Sequence, residues 1–350
     1  MKKYIKSKDD FISSYSFARL ASFAYSEVLT RQQFENLNIQ NCEILSQDER
    51  AVFYKLNKFN LKENDIIFTN YKLVNELFFH LKKAREFKNI TLITNQQDEM
   101  IQKSLYSKKP NCISRWFSIN VEHSANDLIV LPLGLSNDYS PKNPNADDFF
   151  KLYKNMSESK DISLYINHRT NTNMSARKDI YDIFKNKEWA VIDEPNLQIN
   201  TYLENIQKNL FVLCPWGNGV DTHRVWETLY SGSIPVIKKH KTYSTLENLP
   251  VLFIDDFEEI NLDLLTKFAE KFYSNNYDYE KLKMNYWENQ IKDFKKLDSP
   301  LTKTIEETKF YVLKSKAKLF LYAKLENYKK RVLFNLTKIK KIPKKLGIIK

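Results

Sequence analysis

From residue 65 onward, short apolar runs alternate with stretches whose apolar residues recur every three or four positions, and this alternation constrains the fold more than any other feature. DIIFTN and NITLIT read as buried strands on either side of YKLVNELFFHLKKAREF, an amphipathic helix. A strand, a helix and a second strand make a crossover unit with parallel strands. DEMIQKSLY follows as a helical stretch, then RWFSIN and NDLIVLPL as two more apolar runs, and then Gly134 and the loop LSNDYSPKNPNADD. That loop, rich in Asn, Asp and Pro, is the clearest domain boundary. The alternation resumes beyond it with DISLYINHR, WAVID, NLFVLCPW, SIPVIKK and LPVLFID as strands. NMSARKDIYDIFKN, LQINTYLENIQKN, GVDTHRVWETLYSG and LDLLTKFAEKFY are the helices between and after them. Residues 1–60 are weakly patterned and read as short helical stretches.

A chain of 350 residues suits two cores better than one. The expected fold class is therefore α/β, with lobes over residues 1–150 and 151–300, each built on a parallel sheet, and a tail over 301–350. Apolar residues make up 42% and charged residues 28% of the chain, a globular composition. No apolar run reaches the ~18–20 residues of a membrane span, and MKKYIKSKDDFISSY has no apolar stretch behind its basic start. Cys42, Cys112 and Cys214 are too few and too scattered for a disulfide framework or a zinc ligand set. A reducing, cytoplasmic location is the expectation.

The net charge of +12 is a property of the tail. Residues 303–350 carry 15 basic and 3 acidic residues, which leaves 40 of each in residues 1–302. In the tail, Phe310, Leu313, Ala317, Phe320, Leu321, Leu325, Tyr328, Val332 and Leu336 recur at steps of three and four among lysines. That spacing predicts a basic amphipathic helix. Either it packs on the body with a solvated lysine face, or residues 310–350 lie on an anionic membrane surface, so that the protein is peripheral to the inner membrane. The balanced body argues against nucleic acid as a partner.

Only five glycines occur, and Gly217, Gly219 and Gly232 fall within sixteen residues. Gly217 and Gly219 follow a strand and precede a helix that Asp221 is placed to cap, a geometry that leaves backbone N–H groups for an anion. His223, Arg224 and Glu227 lie in the first turns of that helix. A guanidinium there suits a diphosphate, and the carboxylate one turn on suits ribose hydroxyls. The plainer alternative is a loop that only turns the chain, with Arg224 and Glu227 as a helix-surface ion pair.

The stretch CPWGNGVDTHRVWETLYSGSIPVI, residues 214–237, resembles the nucleotide-sugar signature of exostosin-like glycosyltransferases of the GT-B fold. LYINHRTNTNMSAR (164–177), LPVLFIDDFEEINLDLL (249–265) and LPLGL (131–135) resemble further segments of that family in the same order, while Trp216 departs from its usual basic residue or Glu. The resemblance implies two Rossmann-like lobes with a cleft between them, and transfer of a sugar from a nucleotide-diphosphate donor to a glycan or lipid-linked acceptor in surface polysaccharide synthesis. It implies that Arg224 neutralises the leaving diphosphate, that Gly217, Asn218 and Gly219 line it, and that Glu227 takes the ribose. His168 and Arg169, at the carboxyl end of a strand, and Asp221 and His223 join the expected donor-binding set. No Asp-x-Asp pair occurs, so no cofactor and no essential metal are expected beyond the nucleotide-sugar co-substrate. If configuration inverts, a base should come from the first lobe, and Asp98, Glu122, His123 and Asp138 are the candidates. A non-catalytic sugar-nucleotide or glycan-binding module and a basic nucleic-acid-binding protein are the rival readings.

Overall fold

The computed structural model describes residues 4–154, 159–322, 324, 325 and 328. Its strands are β1 (Phe23–Thr30), β2 (Cys42–Gln47), β3 (Ala51–Leu56), β4 (Lys58–Lys62), β5 (Ile66–Asn70), β6 (Ile90–Asn95), β7 (Ile113–Ser118) and β8 (Leu128–Val130). They continue with β9 (Asp161–Ile166), β10 (Ala190–Ile192), β11 (Asn209–Leu213), β12 (Ile234–Lys238), β13 (Leu252–Ile254) and β14 (Thr302–Glu306). A seven-stranded sheet runs β2-β3-β1-β5-β6-β7-β8 and a five-stranded sheet runs β10-β9-β11-β12-β13, while β14 pairs with β4. This mixed α/β architecture with parallel sheets fits an α/β glycosyltransferase-like fold.

The second sheet is parallel throughout, and its chain order reverses between β9 and β11. The first sheet is parallel from β1 through β8, but β3 and β2 add to its edge antiparallel. It is thus mixed where a wholly parallel sheet was expected. Every residue of β5, β6 and β11 is buried, as continuous apolar runs in the middle of parallel sheets require.

Residues 1–60 hold short helices as expected, Ser14–Leu20 and Arg31–Leu37, but also β1, β2, β3 and the start of β4, which were not expected. The strand signal is hidden because β1 lies in the sheet interior with polar residues buried against polar partners: Ser26 Oγ meets Thr69 Oγ1 at 2.9 Å and Glu27 pairs with Arg19. Lys55 interrupts the apolar run of β3 in the same way. It is fully buried and bridged to Glu307 and Glu76. Several expected helices are also shorter. DEMIQKSLY keeps only Lys103–Tyr106, because Ile101 instead forms a bridge with Val121. NMSARKDIYDIFKN breaks into Met174–Arg177 and Ile180–Phe184.

One apolar cluster joins the two sheets, taking in Phe68, Ile93 and Phe117 from the first and Tyr165 and Val212 from the second, with Trp226 and Tyr230. The chain also threads between them. Tyr230 OH accepts from Ile12 N at 3.1 Å and donates to Leu282 O at 2.8 Å. The Arg115 guanidinium, on β7, donates to Ile291 O at 2.7 Å, which holds the helix Met284–Lys292 to the first sheet. Residues 309–322 are helical; the expectation for most of the remaining tail lies outside the described residues.

Gly134 is the tightest point of this assembly. Its φ is +73°, and a Cβ there would stand 2.1 Å from Ile12 O. Gly134→Ala is expected to lower stability by roughly 2–4 kcal/mol, combining a left-handed backbone with a backbone clash. Urea unfolding of the variant beside the native chain checks this.

Candidate active site

The carboxyl ends of strands from both sheets meet at the loop after β11. Following β6 comes Asp98, following β7 comes Asn120, and following β8 comes the segment Leu131–Leu135. All three touch the stretch Gly217–His223. Asn120 Oδ1 accepts from Asp221 N at 2.9 Å, and Leu133 N donates to Asp221 Oδ2 at 3.0 Å. His223 Nδ1 lies 2.9 Å from Gly134 O. A carbonyl can only accept, so Nδ1 carries the proton and a neutral ring keeps Nε2 as an acceptor. Gly219 makes the close approach sterically allowed, since a Cβ there would lie 2.8 Å from Asn120 Nδ2 and 3.1 Å from Asp98 O.

The loop itself is shaped from the second sheet's side. Arg177 Nε donates to Trp216 O at 2.7 Å and its Nη2 to Pro215 O at 3.0 Å, while Asn173 Nδ2 donates to Gly217 O at 2.7 Å. With these carbonyls held on one side, a Gly217 N to Gly219 O bond of 3.0 Å closes the turn. Arg177 was singled out in sequence only as the end of LYINHRTNTNMSAR. Its part in shaping the loop depends on carbonyls nearly forty residues away.

Thr222, not Asp221, occupies the N-cap of the helix His223–Tyr230, and its side chain makes no capping bond. Asp221 is drawn inward, where its carboxylate accepts from Leu133 N and from Trp226 Nε1 at 3.0 Å. Burial pushes its pKa up to about 7. The carboxylate therefore pins the loop to the first sheet. Glu227 is 4% exposed and accepts from Tyr202 OH at 2.6 Å.

Arg224, Arg177 and His168 converge at the reversal point between β9 and β11, where open α/β sheets bind ligands. Arg224 is half-buried, its guanidinium 5.4 Å from the centre of the Tyr202 ring. Burial works against its charge, but the oxygens of Tyr202 and Glu227 outweigh that and raise its pKa. Burial, reinforced by Arg224, pulls Arg177 down to about 10. His168 is pushed down to about 4 by burial and then by Arg177 and Arg224. The imidazole is therefore neutral at pH 7. His168 Nδ1, Trp216 Nε1 and Thr222 Oγ1 are all buried without a hydrogen-bond partner. Such groups are ordinarily satisfied, and three of them around one cationic loop mark a place for a polar ligand.

Asp98 is the one base candidate that lies at this loop. Its carboxyl is hydrogen-bonded by the Asn218 side chain and lies in the field of His223, and burial, followed by Glu99, raises its pKa. The residue stays solvent-exposed on one side while protein crowds its carboxyl, as at a cleft wall. The other candidates make their contacts elsewhere. Glu122 accepts from Gln102 Nε2 at 3.2 Å, His123 stands 4.6 Å from the Tyr106 ring, and Asp138 accepts from Gln33 Nε2 at 3.0 Å. Arg169 is exposed and donates to Asn196. Among the described residues, no group of three or more His, Cys, Asp or Glu side chains is arranged to hold a metal ion.

Residues 149–310 match the family model of the RXYLT1 C-terminal domain. The matched span contains the whole five-stranded sheet, the glycine loop, Arg177, Arg224 and His168. At a coarse level the match supports a glycosyltransferase family and a glycosyltransferase-type function. A search of curated proteins gives no match.

Proposed function

We propose that the chain moves a sugar from a nucleotide-diphosphate donor to a glycan or lipid-linked acceptor, in a GT-B-like cleft between the two sheets. The observation that carries this reading is the convergence of Arg224, Arg177 and the three unpartnered buried polar atoms on one glycine loop. In this reading the diphosphate lies against that loop and the uncapped start of the helix His223–Tyr230. Arg224 and the backbone N–H groups there stabilise the charge that develops as the glycosidic bond breaks. Arg177 acts by holding the loop in shape, through the carbonyls it binds. Neutral His168 and Trp216 offer hydrogen bonds to the donor without adding charge.

Asp98, approaching from the first sheet, takes the proton of the attacking acceptor hydroxyl. Burial favours this role because it raises the carboxyl's basicity. The proton moves to the carboxylate as the new glycosidic bond forms and the nucleotide diphosphate departs. Attack from the side opposite the leaving group inverts the configuration.

The test is a thermal-shift screen of the full chain against UDP, GDP, CMP and their sugar conjugates, UDP-xylose among them, followed by transfer assays with the donor that binds. A ligand at 100 times its dissociation constant stabilises the folded chain by about 2.7 kcal/mol. Binding of one nucleotide diphosphate with turnover supports the reading. Binding without transfer to any acceptor, or hydrolysis at any pH, would favour the non-catalytic module. Because the leaving-group charge is assigned to Arg224 and backbone N–H groups, transfer in excess EDTA is expected to stay within about twofold of the rate without it. A loss that magnesium or manganese restores would overturn that assignment.

A further inference from the structure

The tail helix is attached to the body by a face that mixes polar and apolar residues. Val312 and Ser315 are buried, and Ser315 Oγ accepts from Lys55 Nζ at 2.8 Å. That lysine belongs to a buried cluster with Glu307, which also takes His80 Nε2 at 2.9 Å. Lys318 Nζ donates to Lys72 O at 3.1 Å, and Leu319 packs partly against the first sheet's outer core. At 100° per residue these positions share one side of the helix, so its apolar stripe is turned away from the protein. Phe310, Leu313, Phe320, Leu321, Leu325 and Tyr328 are between 56% and 68% exposed. Single exposed apolar residues are ordinary, but a contiguous row on one helix face marks an interaction surface.

Charge decides what covers it. Lys309, Lys314, Lys316 and Lys324 border the stripe, with Lys324 Nζ 4.6 Å from the centre of the Phe320 ring. No acidic residue lies between 309 and 325, and residues 329–350 add nine basic residues and no acidic one. A second copy of this face, or the chain's own last residues, would set like charges against like. Nucleic acid would match the lysines but offer little to the apolar row. We propose that this helix lies on an anionic lipid surface, its apolar row in the acyl boundary and its lysines among the headgroups. No helix among the described residues is long and apolar enough to cross a membrane, so the contact is one of lying on the surface. The inference is independent of the glycosyl-transfer reading.

Flotation of the full chain with vesicles tests it, using phosphatidylcholine alone and phosphatidylcholine mixed with phosphatidylglycerol. The native chain is expected to partition at least tenfold more strongly to the anionic vesicles and to lose that preference in high salt. Phe320→Glu with Leu321→Glu is expected to lower partitioning at least tenfold with an unchanged melting temperature, since both side chains are exposed. Lys314→Gln with Lys324→Gln is expected to weaken binding to anionic vesicles by about tenfold or more. The proposal fails if the native chain stays in the soluble fraction with anionic vesicles, or if the Phe320→Glu/Leu321→Glu chain floats as the native does. It also fails if sedimentation shows the stripe joining two copies that vesicles do not separate.

Discussion

Asp98→Asn is expected to lower kcat for sugar transfer by roughly a hundredfold to ten-thousandfold while donor affinity changes by no more than about threefold. The amide keeps the size of the carboxylate and a hydrogen bond to Asn218, so the glycine loop stays in position; only the ability to take a proton is lost. The pH profile supplies an independent readout. A base must be ionised to act, and burial raises the Asp98 carboxyl from its ordinary value, so native kcat should fall with acid through that raised pKa. Residual transfer by the variant should lack that limb. Single-turnover kinetics from pH 5 to pH 9 would decide, and an Asp98→Asn chain with near-native kcat would remove Asp98 from the mechanism.

Arg224→Ala is expected to abolish stabilisation by nucleotide diphosphate and to lower kcat/KM by about a hundredfold to a thousandfold. The guanidinium sits on the Tyr202 ring at the start of an uncapped helix, beside Arg177 and His168. No other described group combines a held positive charge with that position. Removing it also relieves the field that depresses Arg177 and His168, so both pKa values should rise in the variant. NMR titration of the His168 ring reads this directly, with a pKa moving up from about 4. Arg224→Lys should recover less than half of the lost kcat/KM on a logarithmic scale, because an ammonium cannot make the forked contact. A full response to nucleotide by the Arg224→Ala chain would refute the phosphate role.

How far the site could be read from sequence depends on the distance over which each residue acts. The glycines and Arg224 were legible because a strand, a tight turn and a helix start are local events with local signals. Asp221 looked like a cap on the same local logic. Its actual partners, Leu133 and Trp226, lie in the segment after β8 and on the buried side of the helix, and they draw the carboxylate away from the cap. Arg177 was missed as a member of the site because its partners, Trp216 O and Pro215 O, are backbone atoms that no residue type announces. Asp98, Glu122, His123 and Asp138 were equivalent as acids and bases near strand ends. Only the docking of Gly219 against the loop after β6 separates Asp98 from the others.

Legible in the sequence alone were the α/β class, the parallel second sheet, the glycine loop between a strand and a helix, and the concentration of charge in the tail. Each of these follows from periodicity or spacing within a few residues. Only the packed fold revealed the strands within residues 1–60, because Ser26 and Lys55 are buried against partners remote in sequence and Glu27 against Arg19, and so they break the apolar pattern. It also decided which base candidate meets the loop and which face of the tail helix is turned outward. Those choices rest on contacts between segments about 80 to more than 200 residues apart, and a polar residue carries the same sequence signal whether it is solvated or held by such a partner.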